Sequence, residues 1–343
     1  MTLYVGAARW VGGTMGGVFR KGRGSGGWQR LALPDAVQVQ AITLHPERAD
    51  VVYAGTDMGL YRSLDAGNSW QRLDTPRELQ IWSVFVHPKD SRLLYAGTSP
   101  LGVLRSQDGG GTWRAVPVQL PQRVKMAFPC RVMRFATSPA RPDHVYAALE
   151  VAGVMRSRDG GDSWSDCADE LVALAQQHPH LRSRIQSDSD TEGMLDAHAV
   201  GVSAAQPGTV FLALRMGMFQ SKDGGSVWTD MEVGRFSPLT YARDIRVSPH
   251  DPRVLFTCLS PASRSEDGAL YRSDDVGETW TRSDRGIKAR ATLMAVALDP
   301  HDPGGIHCIS RCGQVFSTAD GGSTWQESLL PEGVQDVYAI ACT

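Results

Sequence analysis

A short phrase recurs along the chain and restricts the fold more than any other feature. It reads Ser-x-Asp-x-Gly-x-Ser/Thr-Trp, and its copies run from Ser63 to Trp70, Ser106 to Trp113, Ser157 to Trp164, Ser221 to Trp228 and Ser273 to Trp280. A variant from Ser317 to Trp325 carries one extra residue before its Asp, and a copy without the Asp ends at Trp28. The seven tryptophans are 42, 43, 51, 64, 52 and 45 residues apart. This period is typical of repeated supersecondary units and predicts propeller blades.

A second repeat gives the strands of each unit. Apolar runs that end in a proline turn occupy residues 41–46, 83–88, 245–250 and 295–300, and a further run such as Val52–Thr56 or Leu94–Thr98 follows the turn. Each unit therefore has four strands, which we name A to D from first to last. The proline turn joins A to B, and the recurring phrase joins C to D.

The phrase itself is expected to be structural. An Asp side chain can accept hydrogen bonds from backbone N–H groups, and Gly allows a positive φ, so together they form a tight turn. The alternative is an acidic site at each turn, for instance for calcium. Six equivalent turns spread around a ring cannot converge on one substrate, so we expect structural roles for Asp65, Asp108, Asp159, Asp223, Asp275 and Asp320.

These phrases resemble the Asp-box, also called the BNR repeat, and the resemblance extends over about residues 1–343. The family includes sialidases, xyloglucan hydrolases, sortilin-type receptors and a photosystem II assembly factor. The resemblance implies a β-propeller and leaves the activity open. Sialidases carry a Phe/Tyr-Arg-Ile-Pro segment where this chain has Ala8-Arg9-Trp10, and the xyloglucan hydrolases resemble two propellers that face each other across a cleft.

The two ends of the sequence are complementary. Residues 2–7 read as a B strand with no A strand before it, and residues 337–342 read as an A strand with no B strand after it. Pairing them would remove two open sheet edges. We therefore predict an all-β fold, a seven-bladed β-propeller of four-stranded antiparallel blades, with the ring closed by the C-terminal strand. It forms a single domain over 1–343 with an insertion at about 168–197.

Composition excludes several classes of partner. The net charge of -2 gives no attraction to nucleic acid, and no run of about 20 apolar residues predicts a membrane span. The N-terminus has no basic and apolar leader, which favours the cytoplasm, with a processed, secreted form as the alternative. The six cysteines are scattered and read as free thiols of a reducing compartment.

Loop lengths indicate which end of the ring carries function. The end with the Asp-boxes has uniformly short loops, whereas the other end has long ones at residues 7–16, 116–130, 168–197, 231–242 and 260–268. Long loops commonly carry binding residues, so we expect the site at the channel mouth on this second face. The insertion begins with a helical pattern at 169–177 and could form a lid or be decorative. Its cluster of Asp188, Asp190 and Glu192 could bind calcium.

Four residues on this face are candidates for catalysis. Asp196 and His198 are two positions apart, so on a strand they share a face and could act as an acid/base pair or as ligands of a divalent metal. A structural histidine is the alternative, and we expect no other cofactor. Glycoside hydrolysis needs two carboxyl groups beside the scissile bond. The candidate catalytic residues are Asp196, His198, Asp244 and Glu150.

Cations and aromatic rings on the same face are candidates for ligand binding. Several arginines around one mouth would favour a carboxylate, sulfate or phosphate, unless each pairs with a nearby acid, such as Arg243 with Asp244. Aromatic rings could stack on a sugar or belong to the core. The residues are Arg131, Arg134, Arg215, Arg243, Arg290, Arg311, Tyr241, Trp82 and Trp10.

The sequence thus leaves three functions open. The first is a hydrolase of the glycosidase kind with its site at the channel mouth. The second is a non-catalytic binding or assembly propeller, and the third is a metal-dependent enzyme that uses channel histidines. The expected partner is a small polar or anionic ligand such as a carbohydrate, or else a protein or peptide.

Overall fold

A computed structural model gives the fold over residues 1–10, 16–22, 24, 26–33, 37–184 and 186–343, which form seven four-stranded antiparallel sheets. The A strands are β4 (Val39–Leu44), β8 (Gln80–Val86), β12 (Arg131–Ser138), β16 (Ala197–Val202), β20 (Tyr241–Val247), β24 (Leu293–Leu298) and β28 (Val334–Cys342). The B strands are β1 (Thr2–Trp10), β5 (Val52–Thr56), β9 (Leu94–Ser99), β13 (Arg141–Glu150), β17 (Val210–Leu214), β21 (Leu255–Ser260) and β25 (Ile306–Ser310).

The two remaining strands of each sheet lie further out and are shorter. The C strands are β2 (Gly17–Gly22), β6 (Gly59–Ser63), β10 (Gly102–Ser106), β14 (Gly153–Ser157), β18 (Gly217–Ser221), β22 (Ala269–Ser273) and β26 (Gln314–Thr318). The D strands are β3 (Gln29–Leu31), β7 (Gln71–Arg72), β11 (Arg114–Val116), β15 (Ser165–Asp166), β19 (Thr229–Asp230), β23 (Thr281–Arg282) and β27 (Gln326–Leu329).

The predicted seven-bladed propeller is confirmed, including its closure. The first sheet has the strand order β28-β1-β2-β3, so the C-terminal strand supplies the A strand of the first blade. Leu3 lies opposite Cys342 in this pairing, and the backbone N–H of Thr343 donates to the carbonyl of Thr2 at 3.0 Å. Each A strand contacts the A strands of both neighbouring blades, so the seven of them surround a central channel.

The core lies between the blades. Every residue of β5, β9, β17 and β21 is buried, because these B strands have a blade on each side. Their continuous apolar sequence therefore reflects burial of both faces, whereas the outer D strands are largely exposed. Fully burying one large apolar side chain contributes about 1.5–3 kcal/mol, so the seven interfaces supply most of the stabilisation.

Each Asp-box closes its own turn with side-chain hydrogen bonds. In the second blade, Oδ1 of Asp65 accepts from the hydroxyl of Ser63 and the backbone N–H of Ser69, both at 2.8 Å, and Oδ2 accepts from the Ser69 hydroxyl at 2.6 Å. These bonds from Ser69 and Ser63 lower the pKa of Asp65 to about 2. The Ser63 hydroxyl in turn accepts from the N–H of Gly67 at 2.7 Å.

The last box begins one residue later than its sequence suggests. Oγ1 of Thr318, and not the hydroxyl of Ser317, donates to Asp320 at 2.6 Å and accepts from the N–H of Gly322 at 3.1 Å. Thr therefore replaces the leading Ser of the phrase, and the expectation of an extra residue in this copy is wrong. The hydroxyl of Ser317 instead lies 2.9 Å from Nδ1 of His307.

The boxes also join neighbouring blades. The hydroxyl of Tyr4 in the first blade donates to the carbonyl of Ala66 in the second at 3.2 Å, and Arg62 of the second blade donates to the carbonyl of Gly109 in the third at 3.1 Å. Tyr95 makes the same kind of bond to Gly160 at 2.7 Å. The end of the ring with the Asp-boxes is therefore tied together blade by blade.

The insertion between the fourth and fifth blades is packed against the ring. Its helices are α1 (Asp169–Gln177) and α2 (Glu192–Leu195), and a 3₁₀ turn spans Pro179–Leu181. Leu171 and Leu195 are buried in the same apolar cluster as Leu212. No helix in the described part of the chain is long and apolar enough to cross a membrane, and the six cysteines are free.

The fifth blade offers a test of the Asp-box. Val227 stands where the other boxes have Ser or Thr, and Oδ2 of Asp223 accepts no hydrogen bond from the described residues. Val227 is 56% exposed, so replacing it forfeits little apolar burial. We expect Val227→Thr to raise the free energy of unfolding by about 0.5–1.5 kcal/mol in urea titrations. The gain should vanish in an Asp223→Ala background, and an equal gain there would contradict the role given to the hydroxyl.

Candidate functional site

One residue of every A strand is displaced from its pairing with the B strand. The register shifts between Val39 and Ala41 in β4, and an equivalent shift occurs in each of the other six A strands. Such a bulge leaves one residue unpaired and redirects its side chain. The seven bulged residues, here called the bulge ring, are Gln40, Trp82, Met133, His198, Arg243, Met294 and Tyr338.

The bulge ring narrows the central channel. All seven of its side chains line the same cavity, which holds only about 40 Å³. Six of the ring residues stand five positions before the residue that opens the A–B turn, as Gln40 does before His45 and Trp82 before His87, and Tyr338 is the bulged residue of β28. A fixed position in the repeat thus places seven unlike side chains at one level of the channel.

A wider cavity of about 310 Å³, here called the funnel, lies above the bulge ring on the face opposite the Asp-boxes. The long loops contribute Phe128, Gln186 and Arg264 to its wall, in agreement with the expectation that this face carries them. Of the residues proposed from the sequence, the funnel is lined by Trp82, Arg131, Glu150, Asp196, Arg215, Tyr241, Arg243 and Arg311.

Arg131 forms one side of the funnel together with two aromatic rings. Its guanidinium carbon lies 4.1 Å from the ring centre of Trp82 and 4.8 Å from that of Phe128. Nη1 of Arg131 is 2.8 Å from the carboxylate of Glu150. Burial raises the pKa of Glu150, while the charge of Arg131 acts in the opposite direction.

Asp196, His198 and Tyr241 form a connected polar group on the other side. Nδ1 of His198 lies 2.8 Å from the carbonyl of Ala242, which can only accept, so Nδ1 carries a proton. Nε2 then lies 3.0 Å from the Tyr241 hydroxyl and 3.3 Å from Oδ1 of Asp196. Burial raises the pKa of Tyr241, so its phenol stays protonated at neutral pH.

Asp196 is ionised in this setting. Burial acts to raise its pKa, but His198 and the guanidinium of Arg215, which lies 3.2 Å from Oδ2, outweigh burial and lower the pKa to about 2. The backbone N–H of Arg215 also donates to the carbonyl of Asp196 at 3.0 Å. Arg215, which follows β17, therefore holds both the carboxylate and the backbone of Asp196, which lies between α2 and β16.

Arg243 differs from three other arginines of the funnel. Arg131, Arg215 and Arg311 each pair with an acid, and Arg311 does so with Asp336 at 2.7 Å. Arg243 makes no ion pair or hydrogen bond with any of the described residues, although it lines both the funnel and the cavity of the bulge ring. The side chain of Arg264, at the exposed rim of the funnel, also makes no ion pair or hydrogen bond with the described residues.

Two of the proposed residues lie deeper in the channel, below the bulge ring. Asp244 is fully buried and accepts hydrogen bonds from Arg134 and Arg246, both at 3.2 Å, and from the backbone N–H groups of Ile245 and Val296. Four donors occupy this carboxylate, and the expected alternative pairing of Arg243 with Asp244 does not form. Burial, Arg246 and Arg243 lower the pKa of Arg134 to about 10.

Other proposed residues lie away from the funnel or outside the description. Arg290 is exposed and bonds Glu327 at 3.0 Å without lining the funnel. The side chain of Trp10 lies outside the described part of the chain, as do residues 11–15 of the 7–16 loop. Glu192 of the acidic cluster, by contrast, does line the funnel, and its carboxylate accepts from the N–H of Ser187 at 2.9 Å. Across the residues that the structure describes, no three His, Cys, Asp or Glu side chains are grouped so as to hold a metal.

Sequence reasoning missed part of the site. Tyr338, Gln40, Met133 and Met294 were not proposed, although they share the repeat position of Trp82, His198 and Arg243. Aligning the repeats on the A–B turn would have identified six of the seven ring residues, since no A–B turn follows β28. Phe128 and Arg264 lie in long loops of irregular sequence, and no signal in the chain distinguishes them from their neighbours.

The low pKa of Asp196 predicts a pH-dependent contribution to stability. Because the pKa falls from 3.8 to about 2 on folding, the contribution is complete above the unfolded pKa and is lost as the pH falls through the folded one. The difference in unfolding free energy between wild type and Asp196→Asn should shrink by about 1 kcal/mol between pH 5 and pH 3 in urea titrations. Asp188→Asn, at an exposed position, is the control, and a constant difference for Asp196→Asn would contradict its low pKa.

Comparisons with known proteins agree with this fold. The sequence profile of the family described as sortilin, neurotensin receptor 3, matches residues 58–194, and no curated protein matches the sequence. The GH74 xyloglucanase from Xanthomonas campestris superposes with a TM-score of 0.64 at 20% identity, over 85% of this chain and 45% of the enzyme. The chain spans less than half the length of the GH74 enzymes it matches.

Two structures of YCF48 match along nearly their full length. YCF48 from Cyanidioschyzon merolae superposes with a TM-score of 0.59 at 15% identity, over 90% of each chain. YCF48 bound to D1 peptide superposes with a TM-score of 0.56 at 14% identity, over 89% of this chain and 85% of the YCF48 chain. At these identities the likeness concerns the fold alone. The resemblance that the repeated phrase implies is therefore confirmed at the level of the fold, since the chain is a β-propeller whose blades carry that phrase.

Proposed function

We propose that the funnel binds a ligand that carries an anionic group, most simply a carboxylate, and that Arg243 holds this group. The observation that carries the proposal is the unpaired guanidinium of Arg243 on the floor of the funnel. A cation enclosed by protein is costly unless it is paired, so a site with this vacancy favours an anion. A guanidinium also matches the two oxygens of a carboxylate.

The aromatic side chains in the wall of the funnel favour a ligand that has a flat or apolar part next to its anionic group. The rings of Trp82 and Tyr338 lie 5.8 Å apart at 65°, and Tyr241 lines the opposite side. Aromatic rings of this kind pack well on a sugar face or an apolar side chain. The bulge ring below is too narrow for such a ligand, so it would enter and leave by the mouth.

The comparisons support binding without choosing the ligand. YCF48 was solved with a peptide, and the enzyme from Xanthomonas campestris is a xyloglucanase. A carbohydrate and a peptide are thus both partners of Asp-box propellers with this fold. A peptide supplies a carboxylate at its C-terminus or on an acidic side chain, and a carbohydrate supplies one where it is a uronic or sialic acid.

The role of Arg243 can be tested with a minimal dicarboxylate. At constant ionic strength, succinate should raise the melting temperature of the wild type, since a ligand at 100 times its Kd adds about 2.7 kcal/mol of stability. Arg243→Gln should lose most of this effect. Arg290→Gln is the matched control, because Arg290 is exposed and lies outside the funnel. Equal stabilisation of all three proteins, or an equal effect of uncharged succinamide, would contradict the proposal.

A second candidate is hydrolysis of a glycoside, and one observation favours it. Two carboxyl groups of the same cavity have pKa values moved in opposite directions, upward for Glu150 and downward for Asp196. Such a pair is what a general acid and a general base or nucleophile require. In this reaction Glu150 would protonate the leaving oxygen, and Asp196 would activate water or attack the anomeric carbon.

Hydrolysis predicts a loss of turnover in either carboxyl variant. Glu150→Gln and Asp196→Asn should each lower kcat/KM on aryl glycosides or xyloglucan oligosaccharides by about 10²–10⁴. Glu170→Gln, on the exposed side of α1, should leave turnover unchanged. Turnover that survives both carboxyl substitutions would rule out this role for the pair.

A further inference from the structure

A second pocket lies on the opposite face, where the A–B turns and Asp-boxes of the fourth and fifth blades meet. It holds about 290 Å³ and is lined by Arg141, His144, Tyr146, Arg156, Arg158 and Lys222, here called the basic pocket. Asp223 is the one acidic residue of its lining. Oδ1 of Asp223 accepts from the hydroxyl of Ser221 and the N–H groups of Ser226 and Val227, so this oxygen already serves the turn.

Arg141 differs from arginines in the A–B turns of other blades. Three of those bind an acid of their own turn, Arg48 with Asp50 at 3.2 Å, Arg92 with Asp90 at 3.1 Å and Arg253 with Asp251 at 2.8 Å. The side chain of Arg141 makes no ion pair or hydrogen bond with the described residues, including Asp143 two positions further on. Its guanidinium N–H groups are therefore free to donate to a ligand in the pocket.

The second position of the Asp-box adds two more cations. This position is basic in the fourth and fifth blades, which flank the pocket, and is occupied there by Arg158 and Lys222. Other boxes carry uncharged or acidic residues at it, namely Leu64, Gln107, Asp274 and Ala319. Arg158 has no partner among the described residues, and Lys222 has only the exposed Glu278, at 3.8 Å.

Arg156 provides a fixed cation at the back of the pocket. One of its terminal nitrogens donates to the carbonyl of Gly224, while its Nε is buried and has no partner among the described residues. Burial lowers the pKa of His144, and the charges of Arg141, Arg158 and Arg156 act in the same direction, although Asp143 opposes them. The pocket thus gathers four cationic side chains around a single carboxylate, that of Asp223.

We propose that the basic pocket binds the phosphate group of a small phosphate monoester. Two arginines without partners and a third held by a backbone carbonyl offer several N–H donors to one group of oxygens, and guanidinium forks match phosphate geometry. The volume suits a phosphate with a small organic part rather than a polymer. The basic pocket lies at the end of the ring opposite the funnel. A test of phosphate binding in this pocket is therefore independent of the function proposed for the funnel.

The experiment uses the full chain, with inorganic phosphate and phosphoserine as probes at constant ionic strength. Isothermal titration and the imidazole NMR signals of His144 would follow binding. Both probes should bind saturably and shift the His144 signals. Arg141→Gln and Arg158→Gln should each weaken binding by about 10-fold, the equivalent of 1.4 kcal/mol for a lost charged contact. Arg253→Gln, the same change in a turn where the arginine is paired, should bind as the wild type does.

Each other outcome would overturn the proposal. Equal weakening by Arg253→Gln and Arg141→Gln would indicate a general effect of net charge. Binding of inorganic phosphate without phosphoserine would exclude the monoester, and the absence of saturable binding of either probe to folded wild type would exclude the site. The substituted residues Arg141, Arg158 and Arg253 are all exposed, so we expect each variant to melt close to the wild-type temperature. An unchanged melting temperature would show that a loss of binding does not result from a loss of folding.

Discussion

The hydrogen-bonded Asp-box turn is the interaction on which the rest of the molecule depends. A single carboxylate, as in Asp65, holds the hydroxyl that precedes it and the backbone and hydroxyl that follow it. The same turn donates a backbone N–H to the A–B loop, as Ala66 does to Asp50 at 2.7 Å. Its carbonyl then accepts from a Tyr or Arg of the preceding blade. One short phrase therefore fixes a turn, a blade and a blade interface.

These hydrogen bonds between blades explain why the loops at the two ends of the ring differ in length. Where the boxes lie, the loops are short and their polar groups are used by one another. At the other end the loops vary in length, and the bulge leaves one residue of each A strand unpaired. The insertion with α1 and α2 can occupy that end because the opposite end already determines how the blades are arranged.

The fold could be predicted because it rests on local patterns that repeat. The spacing of the tryptophans gave the number of blades, and the pattern of residues 337–342 gave the closure. The site could be predicted only in part, because its residues come from different blades and meet through tertiary geometry. Loop length indicated the face on which the funnel lies, and Asp196, Arg215 and Arg243 do line that one cavity. Arg290 and Asp244 could not be separated from them, since a sequence does not reveal which nearby acid or backbone group an arginine or carboxylate will meet.

The bulge has a consequence for how such a propeller can diverge. A ring residue makes no ladder pair with the B strand, so its identity is released from the requirements of the sheet. The seven positions indeed hold an amide, three aromatic or imidazole rings, two thioethers and a guanidinium. Substitutions at the ring positions, in evolution or in design, can therefore change the side chains that line the channel one blade at a time, while the strands of the propeller stay the same. The side chains at these seven positions can therefore differ between propellers that share the same backbone structure.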